Sequence, residues 1–282
     1  MRTLRLKSPR MTGPDVTDWQ EFLIAQGVLD EAPDGIFGPD TAQATRDYQT
    51  AAALDADGVV GPATFHQAVL DGFTPAGGAL RLGIDTNINC APFAGCIVAA
   101  GKSFVARYYS RFPVKNITRA EGLKLAAGGL ELVTVYEDGA TLGTFSSARG
   151  ASDAGRALTQ AAALGQPAGS AIYFAVDFDP SAVEVRGPIA DYFRAVNGAL
   201  AGAGTPYRVG VYGSGLTCRI LRDSSLVELT WLTGSTGFRE YTQFRPQADI
   251  LQILPDVTIC GGALSIDQDV AQKADIGAFR IS

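Results

Sequence analysis

The chain has 282 residues, of which 46% are hydrophobic and 18% charged, and its formal net charge at pH 7 is −6. This length and polarity predict one or two globular domains. The acidic balance argues against nucleic acid and anionic lipid as partners, because polyanions require a basic face. No apolar run approaches the roughly 20 residues that span a membrane, and no apolar segment of a signal peptide follows the basic start. We therefore expect no membrane insertion, and the export route and oligomeric state stay open.

Histidine and cysteine usage narrows the possible chemistry. His66 is the only histidine, whereas Ser-His-Asp and Cys-His catalysis and most catalytic zinc sites need one. We expect no metal and no cofactor, which leaves carboxylates as the candidate catalytic groups. Four cysteines form no CxxC pair: either Cys90 and Cys96 close a small disulfide loop in an oxidising compartment, or all four, with Cys218 and Cys260, are free and mostly buried.

The first 73 residues contain an internal repeat. Residues 34–41 read DGIFGPDT and residues 57–64 read DGVVGPAT, and in each copy a turn leads to a proline at a first helical position. These prolines predict helices from Pro39 to Tyr48 and from Pro62 to Leu70. A third helix is predicted upstream, from Pro14 to a stop at Gly27.

The strings DVTDWQEFL, DGIFGPDTAQATRDYQ and DADGVVGPATF resemble the peptidoglycan-binding domain of bacterial wall hydrolases. The resemblance implies a three-helix domain over residues 1–73 that holds peptidoglycan, with no catalytic role and with His66 on its last helix as a surface or packing residue. Asp34, Phe37 and Asp57 are the candidate contacts. Residues 74–79 are small and turn-forming, which is typical of a linker.

From residue 80 onward, apolar runs alternate with helical stretches. The runs that predict strands are Leu80–Asp85, Phe104–Tyr109, Leu130–Tyr136, Ala171–Asp177, Arg208–Tyr212, Leu229–Thr233, Ile250–Leu254 and Leu264–Asp269. Helices are predicted at Ile117–Ala127, Ala151–Leu164, Pro188–Ala203 and Gly215–Leu221. This order favours an α/β fold in which residues 80–282 form a (β/α)₈ barrel of the TIM type, with parallel strands covered on both faces.

Acidic residues cluster where the predicted strands end, which is the active-site end of such a barrel. Crowded carboxyls cannot all remain ionised, so at least one is expected to have a raised pKa and to donate a proton. Helix capping is the alternative explanation for acids in these positions. The candidate catalytic residues are Asp85, Glu137, Asp177, Asp179 and Asp267.

Aromatic residues lie in or beside the same strands, and sugar rings stack on such side chains. Arg107 is a basic residue in the middle of a predicted strand and either contacts a ligand or pairs with an acidic neighbour. The candidate substrate-binding residues are Arg107, Tyr109, Tyr136, Phe178, Tyr212, Trp231 and Asp269.

The strings GIDTN, FVARYYS, IYFAVDFD, RVGVYGSG and SIDQDVA resemble the glycoside-hydrolase-like barrel of the Rv2525c-like family. That family is related to the family-25 lysozymes, which cut peptidoglycan glycan as muramidases. The lysozyme pattern implies functional acids at Asp85, Asp177, Asp179 and Asp267. Asp179 stands where the lysozymes have the glutamate that protonates the leaving oxygen, and its side chain is one methylene shorter.

These residues support two principal functional hypotheses. In the first, the protein hydrolyses β-1,4-linked amino-sugar glycan of peptidoglycan outside the cell or in the periplasm, with Glu137 or Asp179 as acid and with Asp177 and Asp85 stabilising the transition state. In the second, the barrel binds wall glycan without cutting it. Amidase, peptidase or phospholipase activity is disfavoured because the barrel lacks histidine.

Overall fold

A computed structural model describes residues 2–75, 80–204 and 207–282. The chain divides into two compact units, residues 1–80 with 272–274 and residues 81–271 with 275–282. Most of the predicted linker, residues 76–79, lies outside the described residues.

The N-terminal unit contains three helices, α1 (Pro14–Ala25), α2 (Pro39–Ala51) and α3 (Pro62–Leu70). Each begins with proline, as the repeat predicts for α2 and α3, because the first helical N–H needs no partner. Edge-to-face aromatic contacts fill the core: Trp19 lies 5.8 Å from both Tyr48 and Phe73, measured between ring centroids.

A buried glutamine fixes each copy of the repeated turn. The Gln20 amide N–H donates to Asp34 Oδ1 at 2.8 Å, and Gln49 makes the same bond to Asp57 Oδ1 at 2.9 Å. Both carboxylates also accept a main-chain N–H two residues ahead. Asp34 and Asp57 therefore stabilise turns. Phe37 is buried in the core, which corrects its assignment as a peptidoglycan contact.

We expect Gln49→Ala to destabilise the N-terminal unit by about 1–3 kcal/mol, because the Gly58 N–H and the Asp57 carboxylate lose a partner. Gln43→Ala is the matched control, since Gln43 is an exposed residue of the same helix that bonds to Asp47. Native-state hydrogen exchange of residues 39–70 measures the difference. Equal exchange in the two variants would contradict the turn-fixing role.

The second unit is a closed barrel of eight strands in chain order. The strands are β1 (Arg81–Asp85), β2 (Phe104–Tyr109), β3 (Glu131–Tyr136), β4 (Ala171–Ala175), β5 (Arg208–Gly213), β6 (Leu229–Leu232), β7 (Ile250–Ile259) and β8 (Leu264–Ala271). Its helices are α4 (Ala94–Ala99), α5 (Arg119–Ala127), α6 (Ser147–Leu164), α7 (Ala182–Glu184), α8 (Ala190–Gly202), α9 (Gly215–Asp223) and α10 (Tyr241–Phe244). A π-helical turn, Val185–Ile189, joins α7 to α8. The mixed α/β fold with a barrel after a small helical region is confirmed.

The last strand departs from the expected parallel arrangement. Strands β1 to β7 pair in parallel, whereas β8 runs antiparallel to both β7 and β1. Only residues 260–263 connect β7 to β8, and a parallel crossover needs a dozen or more residues. The hairpin therefore reverses the chain and brings the beginning of β8, rather than its end, to the mouth of the barrel.

The barrel interior is apolar below the mouth, and one glycine makes room for its packing. A Cβ atom at Gly83 would lie 2.3 Å from the Phe104 ring, so only glycine allows that ring to occupy the space beneath Asp85. Apolar side chains of β2, β3, β4, β6 and β7, among them Ala106, Val133, Tyr173, Trp231 and Ile250, form the core.

A disulfide between Cys96 and Cys260 connects α4 to the turn of the β7–β8 hairpin. Cys90 and Cys218 are buried free thiols. Both sequence-based alternatives, a Cys90–Cys96 loop and four free thiols, are therefore wrong. The local spacing of Cys90 and Cys96 was misleading because the actual partners are 164 residues apart and meet only when the barrel closes.

We expect reduction of this disulfide to destabilise the barrel by about 2–5 kcal/mol, because it closes a long loop of the unfolded chain. Thermal unfolding with and without reductant measures the effect. Cys96→Ser is the control, and reductant should not lower its melting temperature further. An unchanged melting temperature for the reduced wild type would contradict a stabilising disulfide.

Candidate active site

Two aspartates face each other at the floor of the barrel mouth. Asp85 ends β1, and Asp269 is two positions beyond Asp267, the residue paired with Asp85 on β8. Both side chains are buried, with 2% of Asp85 and 0% of Asp269 exposed. The Tyr108 hydroxyl donates to Asp85 at 3.1 Å, and the Trp231 indole N–H donates to Asp269 at 2.9 Å.

Burial makes this pair unusually basic for carboxyls. Desolvation, followed by the charge of Asp267, raises the pKa of Asp85 to about 7. Desolvation and the neighbouring Asp85 charge raise the pKa of Asp269 well above its ordinary value. Two like charges in contact in a low-dielectric site cannot both persist, so the pair retains a proton near neutral pH.

Gln252 connects the floor to the mouth. Its amide nitrogen donates to Asp85 at 2.9 Å and to Asp267 at 3.0 Å, while its oxygen accepts the Tyr212 hydroxyl at 3.0 Å and the Gly234 N–H at 2.9 Å. Desolvation is the main cause of a raised pKa at Asp267. A single neutral side chain therefore fixes the positions of two acidic groups.

Two further acids lie at the ends of neighbouring strands. Glu137 follows β3 and forms an ion pair with Lys115 at 3.4 Å, while Asp177 follows β4 and is exposed. Desolvation raises the pKa of Asp177, and the charge of Lys115 opposes that rise. The Lys115 ammonium also lies over the Tyr108 ring, 5.0 Å from its centroid.

These groups surround a cavity of about 90 Å³, here named the acid cleft. It is lined by Asp85, Tyr108, Val135, Glu137, Ala175, Asp177, Tyr212, Trp231, Gln252 and Asp267. The structure therefore brings together four of the five predicted catalytic acids, together with Tyr212 and Trp231. Asp269 lies beneath them as the partner of Asp85.

Asp179 does not line the acid cleft. Its carboxylate accepts the main-chain N–H of Arg239 at 2.9 Å and pairs with the Arg239 guanidinium at 2.7 Å. Strand β4 ends at Ala175, so the alternation that was expected to place Asp177 and Asp179 side by side does not extend to Asp179.

Three predicted substrate-binding residues lie on the outer face of the barrel. The buried Arg107 guanidinium pairs with Glu121 at 2.7 Å, the Tyr109 hydroxyl donates to Gln166, and the Tyr136 hydroxyl donates to Asp153. Side chains alternate between the two faces of a strand. Arg107, Tyr109 and Tyr136 each lie next to an inward-facing residue and therefore point away from the cleft. Their assignment as substrate-binding residues is corrected, and the alternative for Arg107, a pair with an acidic neighbour, is confirmed. Phe178 packs against Phe145 and does not line the acid cleft either.

Sequence reasoning did not select Tyr108, Lys115 or Gln252 as site residues. The alternation of side chains along β2 could have identified Tyr108, because Phe104, Ala106 and Tyr108 share the inward face of that strand. Gln252 carries no charge and Lys115 ends a short 3₁₀ turn, Pro113–Lys115, outside the strands, so neither had a sequence signal. Among the described residues, no cluster of His, Cys, Asp and Glu is arranged to hold a metal, and no helix is long and apolar enough to cross a membrane.

Comparison with known proteins agrees with this architecture. Residues 95–271 match the family described as Rv2525c-like, glycoside hydrolase-like domain, and the chain belongs to that family. Residues 12–67 match the peptidoglycan binding domain family. The two matches place a peptidoglycan-binding region before a hydrolase-like barrel.

Two curated relatives come from Bacillus subtilis (strain 168). The uncharacterized protein FadG is 24% identical over 259 residues, and YbfG is 31% identical over 164 residues. These alignments cover 88% and 55% of this chain but only 45% and 22% of the relatives, so the chain spans less than half of either.

A crystal structure of the Mycobacterium tuberculosis Tat-secreted protein Rv2525c in complex with L-tartrate is similar to this chain. The sequence identity is 25% and the TM-score is 0.59, and the match covers 71% of this chain and 98% of that one.

The raised pKa values predict how stability depends on pH. A carboxyl with a raised folded-state pKa contributes stability below about pH 4, and that contribution is lost as the pH rises towards 7. Asp269→Asn removes one charge of the pair. We expect the melting temperature of both proteins to fall between pH 5 and pH 8, and the fall to be several degrees smaller in the variant than in the wild type.

Asp191→Asn is the control, because Asp191 is an exposed acid on α8. It should have the pH dependence of the wild type. If Asp269→Asn also lost as much stability as the wild type over this range, the shared proton would be disproved.

Proposed function

We propose that the barrel hydrolyses the β-1,4-linked amino-sugar glycan of peptidoglycan in the acid cleft, while the N-terminal unit holds the polymer. The observation that carries this proposal is the presence of carboxyls in different electrostatic surroundings around one cavity. Glycoside hydrolysis needs one protonated carboxyl and one ionised carboxylate flanking the bond.

The surroundings suggest a division of roles. Asp177 has a raised pKa and is exposed to the cavity, so we assign it the proton donated to the leaving oxygen. Glu137 is paired with Lys115, which suits a carboxylate that stabilises the developing oxocarbenium charge or activates water. Asp85 and Asp267, held by Gln252, complete the carboxyl-lined wall of the cavity.

Asp179 is not assigned the acid role in this proposal, because Arg239 occupies its carboxylate. The same observation favours the second candidate function, a wall-binding protein whose barrel holds glycan without cutting it. In that case the cleft binds sugar through its aromatic and amide groups, and the expected glutamate is absent.

We also place this activity outside the cytoplasmic membrane, at the cell wall. The Cys96–Cys260 disulfide suits an oxidising compartment, and the similar Rv2525c protein is described as Tat-secreted. The formal net charge of −6 argues against nucleic acid as an alternative partner, because a polyanion binds to a basic face.

Mass spectrometry of purified peptidoglycan incubated with the protein tests the hydrolase. We expect fragments with new reducing ends, and we expect Asp177→Asn and Glu137→Gln each to lower their rate of release at least 100-fold, which is typical for loss of a general acid or base.

Asp179→Asn is the matched control, since it makes the same chemical change two residues from Asp177 and outside the cleft. It should retain most of the activity, because an exposed ion pair contributes about 1 kcal/mol or less to stability. Wall binding by the wild type with no glycan fragments would support the binding protein and reject the hydrolase.

A further inference from the structure

A second cavity lies beside the acid cleft and has a different character. It has a volume of about 580 Å³ and is lined by Asn87, Ile88, Asn89, Phe112, Val114 and Lys115, here named the rim groove. Its apolar side chains are unusually open to solvent: Val114 is 91% exposed, Phe112 48% and Ile88 39%. Exposed apolar side chains that share one groove indicate a binding surface.

An intervening space shares wall residues with both the rim groove and the acid cleft. Asn87 and Ile88 also line an intervening space of about 190 Å³ whose walls include Asp85, Tyr108 and Asp267, and those three residues line the acid cleft as well. Lys115 lines the rim groove and pairs with Glu137 of the cleft. A ligand bound at the cleft can therefore extend into the groove.

Basic side chains lie at the groove end of this path. Carboxyls line the acid cleft and the intervening space, among them Asp85, Asp267 and Asp256. Lys115 lines the rim groove, and the Arg111 guanidinium lies 4.9 Å from the Phe112 ring centroid. The groove therefore suits a group that combines small apolar parts with negative charge. The Asn87 and Asn89 amides add hydrogen-bonding capacity beside the apolar surface.

We infer that the rim groove binds the peptide stem of a peptidoglycan sugar while the glycan lies in the acid cleft. This inference rests on the proposed function, because it takes the glycan as the ligand of the cleft. The lactyl and alanyl methyl groups of a stem match Ile88, Phe112 and Val114, and its carboxylates match Lys115 and Arg111. The groove thereby selects peptide-substituted glycan over bare glycan.

The local structure presents this surface in a defined conformation. The Phe112 N–H donates to the Ser110 hydroxyl at 3.1 Å, and the Asn116 amide donates to the Ser110 carbonyl at 2.9 Å. Across the groove, the Ile88 N–H donates to the Thr86 hydroxyl at 3.2 Å. A pre-formed surface loses little conformational entropy when it binds a ligand.

Methyl NMR on the full chain gives a local test that binding at the N-terminal unit does not obscure. The probes are a peptidoglycan disaccharide carrying its peptide stem and the same disaccharide without the peptide. We expect the Val114 and Ile88 methyl resonances to shift with the stem-bearing disaccharide and to shift much less with the bare one. Val183, which is 81% exposed on α7, should not respond to either.

Two variants measure the contribution of the groove. Binding is followed at the Ile88 methyl resonance. Phe112→Ser should weaken binding of the stem-bearing disaccharide by about tenfold and leave binding of the bare disaccharide unchanged. Val183→Ser is the control at an exposed apolar site outside the groove and should change neither affinity.

Equal responses of Val114 to both disaccharides, or no response to either, would overturn the inference. A response to phosphatidylglycerol vesicles without any effect of the stem would overturn it too, in favour of a lipid surface. Because binding is measured rather than cleavage, the outcomes separate the two proposals. If the stem shifts the groove resonances but no glycan is cut, only the hydrolase proposal is rejected. If glycan is cut but the stem does not shift the groove resonances, only the rim-groove assignment is rejected.

Discussion

The antiparallel pairing of β8 with β1 determines the chemistry of this barrel. It places Asp267 opposite Asp85 and Asp269 opposite Gly83, so carboxyls from two strands meet inside a closed sheet. The missing side chain at Gly83 lets the Phe104 ring fill the space beneath Asp85, and burial raises the pKa of both Asp85 and Asp269. The raised pKa values of the two floor carboxyls therefore follow from strand direction and packing as much as from the identity of the residues.

The other polar groups are arranged around that buried pair. Gln252 donates to Asp85 and Asp267 and thereby connects the floor to the mouth, while Lys115 lies between Tyr108 and Glu137. Asp177 has no comparable ion pair within the described network and keeps a raised pKa. The cleft therefore offers both a carboxyl suited to donating a proton and a carboxylate suited to stabilising positive charge, which is the combination that glycosidic cleavage requires.

Much of this architecture could be predicted from the sequence. Apolar runs located all eight strands, and the repeated proline turns located α2 and α3, because these signals are local. The direction of β8, the Cys96–Cys260 disulfide and the Asp179–Arg239 pair depend on which distant segments meet, and no local pattern encodes that. Acid clustering correctly indicated Asp85, Asp177 and Asp267 as neighbours. Arg107, Tyr109 and Tyr136 were misassigned because proximity to a strand end was considered without the alternation of side chains.

The proton shared by Asp85 and Asp269 is the most direct consequence of the buried floor of the barrel mouth. Carboxyl ¹³C NMR of the aspartate-labelled protein, with assignments from Asp85→Asn and Asp269→Asn, measures their titration across pH 3 to 9. We predict that Asp85 titrates near pH 7, coupled to Asp269, and that Asp267→Asn lowers the Asp85 pKa, because the Asp267 charge raises it. Full ionisation of both carboxyls by pH 5 would contradict the account.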